Sequence, residues 1–368
     1  MTIGINAASV FKQPRTGVEE YTYQLIKHLT MLEESKKHRF ILYTQRQNEI
    51  FSAGPAGKQI VAEDEQYLGN FKIRSLKWPW SMWTQVRLAS EMLINQPEVL
   101  FIPVHVLPLA HPGNSVVTIH GLEYEYYPKM YPWRHLNYLR WSTKYALKKA
   151  RRIIAVSENT KKDLVELYGG QPEKISVVYH GASPPQLEPV SQEIKTPYII
   201  FIGRLEAKKN ILGLLKAFNL LKKKYKTPHK LILVGPRGYG CRNLTSQLIN
   251  QKDIIEKGYV SDKEKWSLLQ GAEMFVLPSF YEGFGLPILE AQAAGCPVIT
   301  SNVSSLPEVA GQAAILVDPN NIEQIAEAMS KIISDGQLKK DLIDKGYINA
   351  KRFSWLRCAR ETLKVLTR

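Results

Sequence analysis

The stretch SFYEGFGLPILEAQAAG, from Ser279 to Gly295, sets two glutamates, Glu282 and Glu290, on either side of a glycine-bearing turn that leads into a helix. Pro287 fits a first helical turn, because its ring presets φ and the N–H it lacks would be an orphan donor there. Leu289, Ala291, Ala293 and Ala294 are good helix formers, and Gly295 ahead of Pro297 marks the stop. Glu290 therefore lies in an early helical turn and Glu282 in the loop before it. Gly283 and Gly285 let a ligand approach the backbone closely, and the helix start presents N–H groups. Such a start favours anions, while carboxylates accept bonds from neighbouring hydroxyls. The combination suits a ligand that carries both phosphate and sugar hydroxyls.

Outward from this stretch, strand-like runs alternate with helix-like runs, the mark of parallel α/β sheets. The pattern predicts strands at Thr2–Ala7, Phe40–Thr44, Val99–Ile102, Ser115–Ile119, Arg152–Val156 and Ile175–Val178. A second series follows at Tyr198–Gly203, Lys230–Gly235, Ile254–Gly258, Met274–Pro278, Pro297–Ser301 and Ala314–Val317. After Gly17, Tyr21, Leu25, Ile26 and Leu29 fall at helical spacing, and Ser157 reads as the N-cap of another helix. Residues 182–197 hold four prolines and little periodicity, and so read as a hinge. At 368 residues, two domains are the natural expectation. The boundaries are 1–183, 184–353, and a closing helix over 354–368.

Hydrophobic and charged contents of 44% and 23% are those of a soluble globular chain. No window is apolar enough to span a bilayer, and no signal peptide is visible. Cys241, Cys296 and Cys358 form neither a metal pattern nor an even disulfide set, which fits a cytoplasmic location. The net charge of +15 asks for an anionic partner or a basic solvated surface. Residues 126–152 hold eight Lys and Arg, no Asp or Glu, and many aromatics. Residues 72–83 carry Lys72, Arg74, Lys77, Trp78, Trp80 and Trp83. Both segments suit the surface of an anionic membrane, with some aromatics of the helix over 136–150 turned into the core. No nucleic-acid recognition module is visible, and no pattern specifies an oligomeric state.

Glu-x7-Glu around Gly-Phe-Gly resembles the signature of the retaining glycosyltransferases of the large family 4 type, which includes bacterial mannosyl- and glucosyltransferases. Thr16-Gly17-Val18-Glu19, His120 after a strand, Gly203-Arg204-Leu205 with Lys208-Lys209-Asn210, and Gly235-Pro236 follow in the matching order over essentially the whole chain. The resemblance implies a GT-B fold, two Rossmann-like doubly wound parallel-sheet domains facing each other across a central cleft. It further implies an acceptor-binding first domain, a nucleotide-sugar-binding second domain, and a last helix that returns to the first.

Arg204 follows a buried-looking strand, where open α/β sheets gather ligands, and offers a planar fork of donors; Lys209 adds a point charge. By resemblance both contact the donor diphosphate and stabilise charge on the leaving nucleotide. Gly17 would offer its N–H to the diphosphate, although the family often has two glycines in this loop. His120 would touch the transferred sugar near its C6 hydroxyl, and here Gly121 stands where many relatives carry aspartate. His105 and His180 also stand at strand ends. Glu282 would meet the sugar ring, Phe284, Gly285 and Leu286 would offer backbone N–H groups, and Glu290 would bind the ribose. Val260 matches a segment whose backbone reads the nucleobase.

The implied reaction is hexosyl transfer with retention, from GDP-mannose in preference to UDP-glucose or another UDP-sugar, to a saccharide or lipid-linked saccharide. No Asp-x-Asp pair ends a first-domain strand, so neither metal nor cofactor is expected and the diphosphate is left to Arg204, Lys209 and helix dipoles. The alternatives are a UDP-dependent glucosyl- or N-acetylglucosaminyltransferase, or a nucleotide-sugar epimerase on the same fold. A glycoside hydrolase leaves Arg204 and Lys209 unexplained. A nicotinamide dehydrogenase lacks its Gly-x-Gly-x-x-Gly after the first strand. The full set of site residues argues against a sugar-nucleotide binder without activity.

Overall fold

The structure is a computed structural model that describes residues 1–10, 15–45, 50–53, 58–61, 67–80, 82–182, 196–238 and 252–368. Most of the expected hinge, 183–195, and Cys241 lie outside the described residues. The chain packs as two units. Unit 1 comprises residues 1–122, 131–180 and 355–368, and unit 2 comprises 123–130 and 181–354. Packing thus groups 123–130 with unit 2, although the sequence boundaries give that segment to the first domain.

Among the described residues, the first half of the chain forms β1 (Thr2–Asn6), β2 (Arg39–Thr44), β3 (Ile50–Ala53), β4 (Lys58–Val61), β5 (Tyr67–Leu68), β6 (Phe71–Ser75), β7 (Val99–Ile102), β8 (Ser115–Ile119), β9 (Arg152–Ala155) and β10 (Ile175–Val177). Their main sheet runs β10-β9-β8-β7-β1-β2-β6-β5. All neighbours are parallel except the short edge strand β5. β3 and β4 form a separate antiparallel pair. The central β1, β7 and β8 are buried along nearly their whole length, and their continuous apolar runs are those of strands covered on both faces. Helix Gly17–Leu29 buries Tyr21, Leu25, Ile26 and Leu29, and helix Trp355–Thr367 packs against it.

Unit 2 contains β11 (Tyr198–Ile202), β12 (Lys230–Val234), β13 (Ile254–Gly258), β14 (Met274–Leu277), β15 (Val298–Ser301) and β16 (Ala314–Val317). They form one parallel sheet in the order β13-β12-β11-β14-β15-β16. The chain moves from β11 to one side and later returns to the other, so β11 and β14 flank the topological switch point, where open α/β sheets bind ligands. Every residue of both strands is buried.

Two expectations need correction. Residues 72–83 are not one surface patch: Phe71–Ser75 is strand β6, with Phe71 and Ile73 buried and Arg74 bonded to the buried Glu91 at 2.7 Å. Trp83 is also buried, its indole N–H donating to the Leu76 carbonyl at 2.9 Å. The helix expected over 136–150 spans Trp133–Lys149, and it does not turn its large aromatics inward. It buries Leu136, Ser142, Thr143 and Ala146, while Trp133, Tyr138 and Trp141 are exposed. Small residues let the helix sit close to its neighbours and leave the wide rings outside.

Candidate functional site

In unit 2, parallel pairing of β11 with β14 brings their carboxyl ends side by side, and this joins two segments far apart in sequence. The loop after β11 carries Lys209 and the loop after β14 carries Glu282. Lys209 Nζ donates to Glu282 Oε1 at 2.6 Å, and both side chains are largely buried. Ser279 Oγ donates to the same carboxylate oxygen at 2.8 Å. The 282–284 backbone is cradled from the loop after β15: Glu282 N–H donates to Ser304 Oγ at 3.0 Å. Ser305 Oγ donates to the carbonyls of Glu282 and Phe284, each at 2.8 Å. Ser304 takes a left-handed backbone, φ 53°, to do this. The result is a charged pair fixed on both sides.

On the other side of β11, the approach of the β12 end is set by glycine. A Cβ on Gly235 would fall 2.2 Å from the Gly203 carbonyl oxygen, so no side chain fits where the loops after β11 and β12 cross. Asn210 caps the following helix, Ile211–Tyr225, from a left-handed backbone of φ 53° and ψ 40°. Its Oδ1 accepts from Gly213 N–H at 3.2 Å and its Nδ2 donates to the Pro319 carbonyl at 2.6 Å. That anchoring fixes the residue next to Lys209.

Arg204 stands apart from the Lys209–Glu282 pair. Its guanidinium is half-exposed and bonds Glu206 at 3.2 Å. Lys208 bonds Glu123 at 3.0 Å, within unit 2, and lies 3.9 Å from Glu206. The 123–130 segment also stacks Tyr126 on Tyr281, with ring centroids 5.2 Å apart, and its Tyr127 hydroxyl donates to the Phe280 carbonyl at 3.4 Å. Glu123, Tyr126 and Tyr127 thus brace residues adjacent to Lys209 and Glu282.

Gly285 is the N-cap of helix Leu286–Ala293, with φ 110°, a conformation that favours glycine. Phe284 is buried, its ring edge-on to Phe353 at 5.9 Å. Glu290, in this helix, does not join Glu282. Its carboxylate accepts from Lys265 Nζ at 2.8 Å, and Asp262 lies 3.2 Å from the same ammonium. Burial opposes charge on Lys265, but the two carboxylates outweigh it and raise its pKa above the ordinary lysine value. Lys265 lies in helix Asp262–Gly271, capped by Ser261, so its ion pair joins Glu290 to the helix that begins just after Val260.

Unit 1 holds Gly17 and His120. Gly17 opens helix Gly17–Leu29, where Thr16 N–H donates to the Glu19 carboxylate at 3.1 Å, half of a capping box. A Cβ on Gly17 would meet nothing within 4 Å, so packing does not demand the glycine. His120 directly follows β8, and its Nε2 donates to the carbonyl of Pro103, just beyond the neighbouring β7, at 2.7 Å. Its ring meets Tyr21 edge-on at 4.8 Å and lies 5.6 Å from His180. Tyr21, fully buried, also contacts His180 at 4.7 Å and Trp355 at 6.3 Å. Burial first, and His120 second, hold the His180 pKa well below its ordinary value, so it is neutral at physiological pH.

Sequence reading missed Lys265, Glu123, Ser304, Ser305 and Tyr21. Of these only Tyr21 carries a local signal, its place in the helical spacing it shares with Leu25, Ile26 and Leu29. Among the described residues, Cys296 and Cys358 are free buried thiols, no group of three or more His, Cys, Asp or Glu could hold a metal ion, and no helix is long and apolar enough to cross a membrane.

A family model described as glycosyl transferases group 1 matches residues 186–348, and one described as glycosyltransferase family 4 matches residues 15–184. The O-antigen chain mannosyltransferase B of Escherichia coli is 31% identical over 98% of this chain and 98% of its own. The O-antigen chain mannosyltransferase RfbU of Salmonella typhimurium is 27% identical over 86% of this chain and 90% of its own. Among solved structures, the sucrose-phosphate synthase of Thermosynechococcus elongatus aligns with a TM-score of 0.77 at 17% identity, covering 100% of this chain and 98% of that one. Anabaena HepE, solved with UDP-glucose, aligns with a TM-score of 0.73 at 16% identity, covering 100% and 99%. At these identities the structures show a shared fold, the two parallel-sheet units of the GT-B type.

Proposed function

The chain belongs to the family 4 glycosyltransferases of the group 1 type and has their GT-B fold, and on that footing we propose that it moves mannose from GDP-mannose to a saccharide or lipid-linked saccharide. The observation that carries the reading is the Lys209–Glu282 pair at the switch point of unit 2, beside the N-terminus of helix Leu286–Ala293. The choice of mannose is supported by the likeness to O-antigen mannosyltransferases over nearly the full chain.

In this proposal the donor diphosphate lies along the loop after β11. Arg204 and Lys209 neutralise it, with Gly17 adding a backbone N–H, and no metal is required. Glu282, held by Lys209 and Ser279, binds hydroxyls of the transferred sugar, and the N–H groups of Phe284, Gly285 and Leu286 orient the ligand further. Glu290 accepts from the ribose hydroxyls while Lys265 holds it in place, and the backbone at Val260 meets the base. His120 contacts the sugar at its C6 hydroxyl. The bond from the anomeric carbon to the phosphate oxygen breaks as the acceptor oxygen bonds on the same face. Bonding on the same face gives retention, and the acceptor proton passes to a leaving phosphate oxygen. Catalysis rests on positioning and on stabilising charge as it moves onto the diphosphate.

Incubating the protein with acceptor saccharides and either GDP-mannose or UDP-glucose, with and without EDTA, tests the reading. An α-linked mannosylated product that persists in EDTA is expected. Transfer only from UDP-glucose, an inverted linkage, or a strict Mg2+ requirement would each sink the corresponding part.

A further inference from the structure

We propose that unit 1 docks on an anionic lipid bilayer through one continuous surface, formed by the outer face of helix Trp133–Lys149 and the loops carrying Trp80, Met82 and Leu109. This deepens the acceptor half of the proposed function and rests on that reading only for its use, since the surface itself is independent of the donor site.

The helix carries Arg134, Arg140, Lys144, Lys148 and Lys149 and no carboxylate. Its buried stripe leaves Trp133 74% exposed. Along one side, Tyr138, Trp141 and Tyr145 stack in a row, with centroids 5.8 and 5.4 Å apart. The row does not end with the helix. Tyr145 Oη donates to the Leu109 carbonyl at 3.0 Å, and Leu109 itself is 57% exposed. Leu109 N–H donates to Gln85 Oε1 at 3.0 Å, while Gln85 Nε2 donates to the Leu107 carbonyl at 3.1 Å. Gln85 lies in the helical turn Thr84–Leu88, just after Met82, which is 63% exposed, and Trp80 is 66% exposed. Hydrogen bonds therefore join the helix, the Leu107–Leu109 loop and the turn holding Gln85, and each of the three segments carries or adjoins exposed apolar side chains.

A bilayer suits this surface better than other anionic partners. Indole and phenol rings settle at the headgroup level, with the apolar body inward and the polar edge in water. Lysine and arginine stems lie along apolar surface while their charges reach lipid phosphates. Single-stranded nucleic acid stacks its bases on open ring faces. Here the interplanar angles of 29° and 15° show that the rings already cover one another.

Co-sedimentation of the full chain with phosphatidylcholine vesicles, and with the same vesicles enriched in phosphatidylglycerol, tests the proposal. Pelleting is expected with the anionic vesicles only, and should weaken with added salt. Lys144→Gln, Lys148→Gln and Lys149→Gln together should lower affinity on the order of a hundredfold, at roughly a factor of five per cation. Trp133→Ala with Trp141→Ala should weaken binding at low and high salt alike, because an apolar contribution is not screened. Each variant should keep the parent's thermal shift with GDP, which separates loss of docking from loss of fold or of the donor site. No pelleting with either vesicle, or pelleting that ignores both sets of substitutions, would overturn the proposal. So would retention of the parent protein on single-stranded DNA in preference to anionic vesicles.

Discussion

The two units hold their candidate residues in opposite electrical settings. In unit 2, each candidate charge meets an opposite charge: Lys209 with Glu282, Arg204 with Glu206, Lys265 with Glu290. In unit 1, His120 lies among the rings of Tyr21, His105 and His180 and donates to a backbone carbonyl. A paired, partly desolvated ion is a preorganised receptor for another ion, because exchanging one partner for a phosphate or hydroxyl leaves little charge bare. A histidine held among rings and hydrogen-bonded to a carbonyl would, in the proposed function, suit contact with a neutral sugar. In the proposed reaction, unit 2 would take up charge and unit 1 would orient the sugar.

The strongest way to break this comparison is to remove one member of the unit 2 pair. Lys209→Ala and Glu282→Ala should each lower kcat by about 10³, the scale for losing a preorganised electrostatic contact. The double variant should be far less than additive, since each single change already strands the other charge. Steady-state kinetics alongside circular dichroism would check this; additive losses would mean that the two residues act separately. Next in size is His120→Ala, expected to cost about 10² in kcat while leaving nucleotide binding intact. Loss of GDP binding in that variant would place His120 in charge recognition and erase the contrast.

Much of this arrangement is legible in the sequence. The sheets are written in continuous apolar runs such as Tyr198–Ile202, and Glu282 is marked by its glycines and by its spacing from Glu290. Lys209 stands out as a cation ahead of a helix start. What was not legible depends on tertiary contact. Lys265 lies in a different helix from Glu290, and nothing local marks it as that residue's partner. Ser304 and Ser305 look like an ordinary polar turn until the backbone of 282–284 is laid against them. Strand β6 is different, because Phe71 and Ile73 alternate with Lys72 and Arg74 at the strand period.

Lys265 sharpens the comparison within unit 2. Lys265→Met should raise KM for the donor about tenfold, near 1.4 kcal/mol, with kcat nearly unchanged, because Glu290 stays but is less well held. A collapse of kcat at constant KM would instead put Lys265 at the reacting centre. A smaller effect, a few-fold in KM, is expected for Glu123→Gln, which removes only the half-buried brace on Lys208.

The smallest effect is on the pH dependence of stability. His180 is buried and its pKa lies well below the ordinary 6.5, so below pH 6.5 the unfolded chain binds a proton that the folded chain refuses. Stability therefore falls as pH drops through that window. In unit 2, Glu256 has its pKa lowered from 4.5, chiefly by its hydrogen bond to Arg237, so its contribution is present above 4.5 and is lost only as pH falls further, through the folded value. Burial also lowers His28 and His38 in unit 1 and His229 in unit 2, so the wild-type slope is a sum. The His180→Gln variant isolates one contribution. Calorimetric melting across the acid range should show a shallower loss of Tm below pH 6.5 in the variant than in the parent, with the step below 4.5 unchanged. An identical slope above 4.5 in both proteins would mean that the buried histidine of unit 1 is not what makes the fold acid-sensitive.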